Sequence, residues 1–121
     1  MKFKDSKHEE MYVAFLAKMK WKDEYHRAAA YLLALDSVLR NHVADVFDFS
    51  EDCIKPETAL AHGWQTGTSR CTTRLMMNLW NGYSGAGEDD LADRYSVNWI
   101  FGSAGEYIPF YFEAIKLRYM G

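Results

Sequence analysis

The chain carries almost nothing that could staple a fold covalently or through a metal. It has only two cysteines, Cys53 and Cys71, spaced neither as a close pair nor as metal ligands. That excludes a disulfide scaffold and a zinc module, and predicts buried free thiols in a reducing compartment. Long apolar runs are missing too. The longest, Ala28 to Leu35, falls far short of the roughly 20 residues that cross a bilayer. The opening, MKFKDSKHEE, lacks the apolar core of a secretion signal, so a cytoplasmic protein without membrane contact is expected. Nor is there an excess of positive charge: 14 Lys and Arg stand against 17 Asp and Glu, a net charge of −3. General nucleic-acid binding usually leaves a strongly basic domain, so nucleic acid is disfavoured as a partner, except along a local basic stripe.

What remains is enough for one ordinary domain. At 121 residues a chain buries about two-thirds of its unfolded surface and needs no staple to fold. Aromatic rings are abundant, with 4 Trp, 8 Tyr and 7 Phe. Most should fill the core, yet a domain this small cannot hide them all, and exposed Trp and Tyr often anchor partners.

Helical periodicity dominates. Ser6 and Glu9 have capping-box spacing, and Met11, Tyr12, Phe15, Leu16 and Met19 share one face, which predicts a helix over about Lys7–Lys20. A second block from Lys22 keeps the period through Tyr25, Ala28, Ala29, Leu32 and Leu35. Whether it runs on unbroken to Phe47 is left open by the pattern; a break near Asp36 is favoured, because Asp and Ser compete with the helical backbone for hydrogen bonds. Pro56 suits the start of a short helix through Ala61. Ser69–Asn81 reads as an amphipathic helix stopped by Gly82, and Pro109 opens a last one. Val97, Trp99 and Phe101 alternate, as a short strand would. The expected fold is a mainly α, compact single-domain bundle of about five or six helices, with at most a small extended element near Val97–Phe101.

The stretch from Gly63 to Gly82, GWQTGTSRCTTRLMMNLWNG, holds the candidate site. Arg70 and Arg74 sit near a helix start, where the backbone dipole disfavours positive charge by about 0.3–1 kcal/mol. Arg70, Arg74, Asn78 and Asn81 fall on one side of the helix; Leu75, Met76, Leu79 and Trp80 occupy much of the other. Free amides at such a helix start, with the hydroxyls of Thr68 and Ser69, suit phosphate, sulfate or carboxylate, and arginine adds a matching planar fork. A plainer reading weighs more here: the nearby acids Glu88, Asp89, Asp90 and Asp93 neutralise the two arginines. The GxxxGTS pattern lacks the lysine, spacing and preceding strand of a phosphate-binding loop, so a nucleoside triphosphatase is rejected.

No catalytic or metal site is expected. The histidines, His8, His26, His42 and His62, form no HExxH or Cys/His zinc pattern, and Glu88–Asp90 lacks the alternation of a calcium loop. No cofactor is implied. In the last helix Phe110, Ala114 and Leu117 line one face and Phe112, Ile115 and Tyr119 another, joined by Tyr111. Two apolar stripes predict deep burial, or a homodimer surface through Tyr111 and Tyr119.

The segments CIKPE, GWQTGTSR, RLMMNLWNGY and FEAIKLRY resemble an uncharacterised family of small proteins of phages, prophages and mobile elements of Gram-positive bacteria. The similarity extends over nearly the whole chain. It implies a setting, a bacterial cytoplasm during phage or element carriage, and no reaction or catalytic residue. The leading expectation is therefore a non-enzymatic module binding a host or defence protein through Trp64, Gln65, Arg70, Arg74 and Asn78. The second is a small-anion or nucleotide sensor using the helix start at Thr68–Arg74.

Overall fold

A helix built from Ala28–Leu35 has no polar face to offer water, so it is stable only if enclosed on every side. The computed structural model describes residues 1–85 and 92–121, and this enclosure organises it. α1 (Ser6–Lys18), α4 (Gly67–Asn81) and α6 (Ile108–Tyr119) pack around α2 (Glu24–Leu35). Every residue from Ala28 to Leu35 is at most 2% exposed. The small side chains at Ala28, Ala29, Ala30 and Ala34 leave room for the neighbours' larger ones, among them Phe15, Met76, Met77 and Tyr111. Two short helices, α3 (Ser37–Arg40) and α5 (Val97–Gly102), complete the helical set among the described residues.

Local chemistry sets the boundaries. Asp36 leaves the helix at φ −89° and ψ 127°. Its Oδ1 accepts the amides of Val38 (2.8 Å) and Leu39 (3.0 Å), so the expected break is real and doubles as the cap of α3. At the first helix the cap is Asp5 rather than Ser6: its Oδ1 accepts the His8 amide at 2.8 Å. A carboxylate at this end also meets the favourable pole of the helix dipole. No regular helix forms over Pro56–Ala61, only successive turns, and the buried Gln65 Nε2 donates to the Ala59 carbonyl at 3.0 Å.

The extended element lies elsewhere than expected. β1 (Phe47–Asp48) pairs antiparallel with β2 (Cys53–Ile54), Phe47 opposite Ile54. Phe47 and Ile54 point inward, and the alternation turns Cys53 outward, so its thiol is exposed and only Cys71 is buried. Val97–Phe101 is instead part of α5, with the Ser96 hydroxyl accepting the Trp99 amide at 3.3 Å. The alternation misleads because Val97 and Trp99 are exposed, and Ile100, which falls outside the alternating set, is the buried residue of α5.

Two histidines are built into this frame. His8 is fully buried: Nδ1 accepts the Lys4 amide (3.0 Å) and Nε2 donates to the Tyr31 carbonyl (2.9 Å). Those roles require the neutral ring, and burial lowers its pKa against the raising effect of the Tyr31 bond. His26 bonds through Nδ1 to Asp23 Oδ1 (2.6 Å) and through Nε2 to Asp52 Oδ2 (2.7 Å). Asp52 sits in the left-handed region at φ 56° and also accepts the Lys20 amide at 3.1 Å. One carboxylate thus ties the hairpin turn to the α1–α2 link and to the start of α2.

Asp52→Ala removes both bonds and leaves an alanine at positive φ; the expected loss is about 3 kcal/mol in urea unfolding. A loss near zero would show that the link is decorative. For His8 the sign follows from its lowered pKa. Below the ordinary value of 6.5 the unfolded chain takes up a proton that the folded chain resists, so stability falls as pH falls. The stability advantage of wild type over His8→Gln should therefore narrow between pH 7 and pH 5. Parallel pH profiles for the two proteins would contradict this role.

Candidate functional site

The start of α4 is held by a reciprocal cap. Thr66 Oγ1 accepts the Ser69 amide (3.0 Å), and Ser69 Oγ accepts the Thr66 amide (2.7 Å). The amides of Gly67 and Thr68 have no carbonyl partner within the helix. At the far end Gly82, at φ 79°, donates its amide to the Asn78 carbonyl at 2.8 Å. The inner face carries Cys71, Thr72, Leu75, Met76 and Leu79, while Arg70, Arg74 and Asn78 are half-exposed along the outer one.

Arg70 and Arg74 line a cleft of about 180 Å³ together with Arg94, Trp99, Cys71 and Ser103. Arg94 comes from the 3-10 turn Ala92–Tyr95, Trp99 from α5 and Ser103 from its C-terminal end. The Arg94 Cζ lies 3.8 Å from the Trp99 ring centre, and the Arg74 Cζ lies 6.0 Å from that of Tyr95. Such stacking holds guanidinium planes in place. The Arg94 Nε is buried and lacks a hydrogen-bond partner among the described residues. No described carboxylate lies at ion-pair distance from Arg70. Of the acids expected to neutralise the stripe, Glu88, Asp89 and Asp90 lie outside the described residues, and Asp93 is exposed.

A second cleft, of about 330 Å³, lies against the same helix turn and shares Ser103 with the first. Ser37, Thr66, Thr68, Glu106 and Tyr107 line it. Burial, with Asp36 and Glu106 adding to it, pushes the Tyr107 hydroxyl up to about 12, so it stays a neutral donor at physiological pH.

The other expected contact residues separate. Trp64 stacks on His42 (centroids 4.5 Å apart, planes 8° apart) and its Nε1 donates to Asp45 Oδ2 at 2.8 Å; it lines neither cleft. Gln65 and Ser69 are buried and bonded to each other at 2.5 Å, so neither presents a contact surface. Thr68 lines the second cleft. Asn78 Nδ2 donates to the Tyr83 carbonyl at 3.3 Å, which serves the helix end. Tyr111 is fully buried and its hydroxyl pairs with Thr72 Oγ1 at 2.6 Å. It is a core residue and not an oligomer contact. Tyr119 is 64% exposed, with the Arg118 guanidinium held between it and Tyr25.

Arg94, Trp99, Ser103 and Glu106 were not legible as site residues. They reach the α4 start from three later elements, the Ala92–Tyr95 turn, α5 with its cap, and the Gly105–Tyr107 turn, so no sequence period links them. Chemically, the first cleft can bind and orient an anion. The Cys71 thiol beside it is pushed up by burial, against the opposing effect of Arg74, and donates to the Trp99 carbonyl at 3.6 Å. It is no thiolate at neutral pH. Among the described residues no group of three metal-ligating side chains forms, and no helix is long and apolar enough to cross a membrane.

No curated protein and no solved structure matches this chain. One family model does, over residues 1–121, and the protein thus belongs to a family of unknown function, DUF6075.

Proposed function

We propose that this protein is a non-enzymatic binding module whose ligand is an anion held in the Arg70–Arg74–Arg94 cleft. The observation that carries the reading is the convergence of three guanidiniums, from α4 and the Ala92–Tyr95 turn, on one small cleft with an aromatic wall. Arg70 has no described carboxylate at ion-pair distance, and the Arg94 Nε has no hydrogen-bond partner among the described residues, so an anionic group would offset their charge and fill their forks. The adjoining amides of Gly67 and Thr68 act in the same direction. Binding fits better than catalysis because the thiol in the wall is held protonated and the remaining polar groups there are guanidiniums and a serine hydroxyl.

A second reading is the protein-contact module of a phage or mobile element, directed at a host or defence protein. What favours it is exposed apolar surface: Val97 is 75%, Phe112 54% and Trp99 41% exposed. Trp99 belongs to that surface and to the cleft wall alike, so an acidic side chain of a partner would enter the same cleft. Self-association is a variant of this reading, through Tyr119 and the 81% exposed Met120.

Thermal denaturation against phosphate, sulfate, nucleotides and short oligonucleotides tests the first reading. A ligand at a hundred times its dissociation constant adds about 2.7 kcal/mol, several degrees for a domain of this size. The shift should vanish in Arg70→Ala and in the Arg70→Ala, Arg74→Ala double variant. Anion binding is overturned if no ligand moves wild type, or if Arg70→Ala responds as wild type does. In the first case the protein-contact reading takes its place if the double variant loses capture of a host protein while melting near wild type.

A further inference from the structure

We infer that residues 2–4 form a detachable strap, latched over an aromatic slot by the neutral His8 ring and released when that ring takes up a proton. Nothing in this device depends on what the arginine cleft binds.

The segment preceding α1 is fastened by side chains. Among the described residues, 1–4 take part in no backbone–backbone hydrogen bond and adopt no regular structure. A segment held that way can leave without breaking a ladder or a helical turn, an opening that costs less than global unfolding. Its central fastening is Phe3, whose ring centre lies 5.2 Å from that of His8, 5.5 Å from Tyr12 and 5.9 Å from Tyr31. Phe110 of α6 closes the slot, with its ring centre 6.2 Å from that of His8 and 5.5 Å from Lys2 Nζ. Two hydrogen bonds flank Phe3. The Tyr31 hydroxyl donates to the Lys2 carbonyl, and the Lys4 amide donates to His8 Nδ1 at 3.0 Å.

The second of these bonds is conditional. Nδ1 accepts only while it carries no proton. Protonation turns it into a donor facing the Lys4 amide, itself a donor, so the bond is lost. Nε2 is a donor in both states, and its 2.9 Å bond to the Tyr31 carbonyl survives. The proton therefore acts on the strap and spares the contact between α1 and α2. The charges around the ring are divided: Asp5 at the helix cap favours protonation, while Arg40 on α3 and Lys4 on the strap oppose it. Tyr12 and Tyr31 face the ring with hydroxyls that burial keeps neutral. Asp5 is itself held below the ordinary carboxylate range by the His8 amide, so the cap of α1 outlasts the latch.

The strap also carries Lys4 to the rim of the larger cleft. Lys4 Nζ is 3.9 Å from Glu106 Oε1 and 5.9 Å from the centre of the Tyr107 ring, and Glu106 and Tyr107 both line that cleft. A pair this open to solvent adds little to the hold on the strap. Release nevertheless withdraws a cation from the Glu106 carboxylate, so the protonation state of His8 reaches the cleft.

Backbone amide relaxation measured by NMR tests the device, from about pH 7.5 to about pH 4.5, a range that crosses ordinary histidine titration and extends below it. The His8 ring is followed by its own nitrogen shifts. Order parameters of Phe3 and Lys4 should fall from about 0.85 to below about 0.6 in step with the His8 titration, while those of Met11 and Phe15 in α1 hold. His8→Gln keeps a donor for the Tyr31 carbonyl but lacks the acceptor, so its strap should already be loose at neutral pH and indifferent to acid. Phe3→Ala should loosen residues 2–4 in the same way, with α1 and α2 still folded. The latch is overturned if Phe3 and Lys4 stay ordered while His8 titrates, or if His8→Gln holds them as firmly as wild type does. Loss of order in α1 together with the strap, in acid or in Phe3→Ala, would make residues 2–4 ordinary core and equally overturn it. A ring that stays neutral until the whole domain unfolds does the same.

Discussion

Enclosing α2 is the constraint from which the architecture follows. Its stretch Ala28–Leu35, with apolar side chains around the whole circumference, cannot lie at a surface, so three other helices must each give up a face to it. α1 contributes Tyr12 and Phe15, α4 contributes Met76 and Met77, and α6 contributes Tyr111, Ala114 and Leu117. With its inner face committed, α4 can display arginines only on the opposite side. The candidate site is thus placed by packing before any question of ligand arises.

Short polar side chains do the remaining positioning. Asp5, Asp23, Asp36, Thr66 and Ser96 each accept backbone amides at a helix start. Asp52 uses one oxygen for a backbone amide and the other for an imidazole. Among the described residues three glycines have positive φ and no disulfide forms, so these side-chain contacts do much to fix where segments turn. Each contributes about 0.5–2 kcal/mol, and together they determine which way α4 and α5 enter the region around the clefts.

Much of the fold was legible because it is written in local terms. The period of α1, α2, α4 and α6, the break at Asp36 and the stop at Gly82 all depend on residues within a turn of one another. The meaning of Ala28–Leu35 was less accessible: the run reads at once as too short for a membrane, whereas its role as the central helix depends on helices far away in sequence. Val97, Trp99 and Phe101 misled for a related reason. Their alternation reflects exposure, and the burial of Ile100 that anchors α5 comes from tertiary packing. At the site, Arg70 and Arg74 stood out through their conflict with the helix dipole. Arg94 and Glu106 carry no such local conflict, and only folding brings them near. Gln65 and Ser69 looked available because their hydroxyl and amide groups suit ligands, yet the same groups satisfy the buried turn that precedes α4.

The all-round burial of Ala28–Leu35 in α2 also bears on how the protein is made. α1 and α2 emerge from the ribosome first, and their mutual contact covers only part of the apolar circumference. The remainder awaits α4 and finally α6, whose contacts with α2 are among the most sequence-distant in the molecule. During synthesis the nascent chain must therefore carry an exposed greasy helix until α4 and α6 have followed, a state that invites chaperone capture or aggregation. Completion of the core is a late event, and a ribosome stalled before α6 would release a chain with its central helix still uncovered.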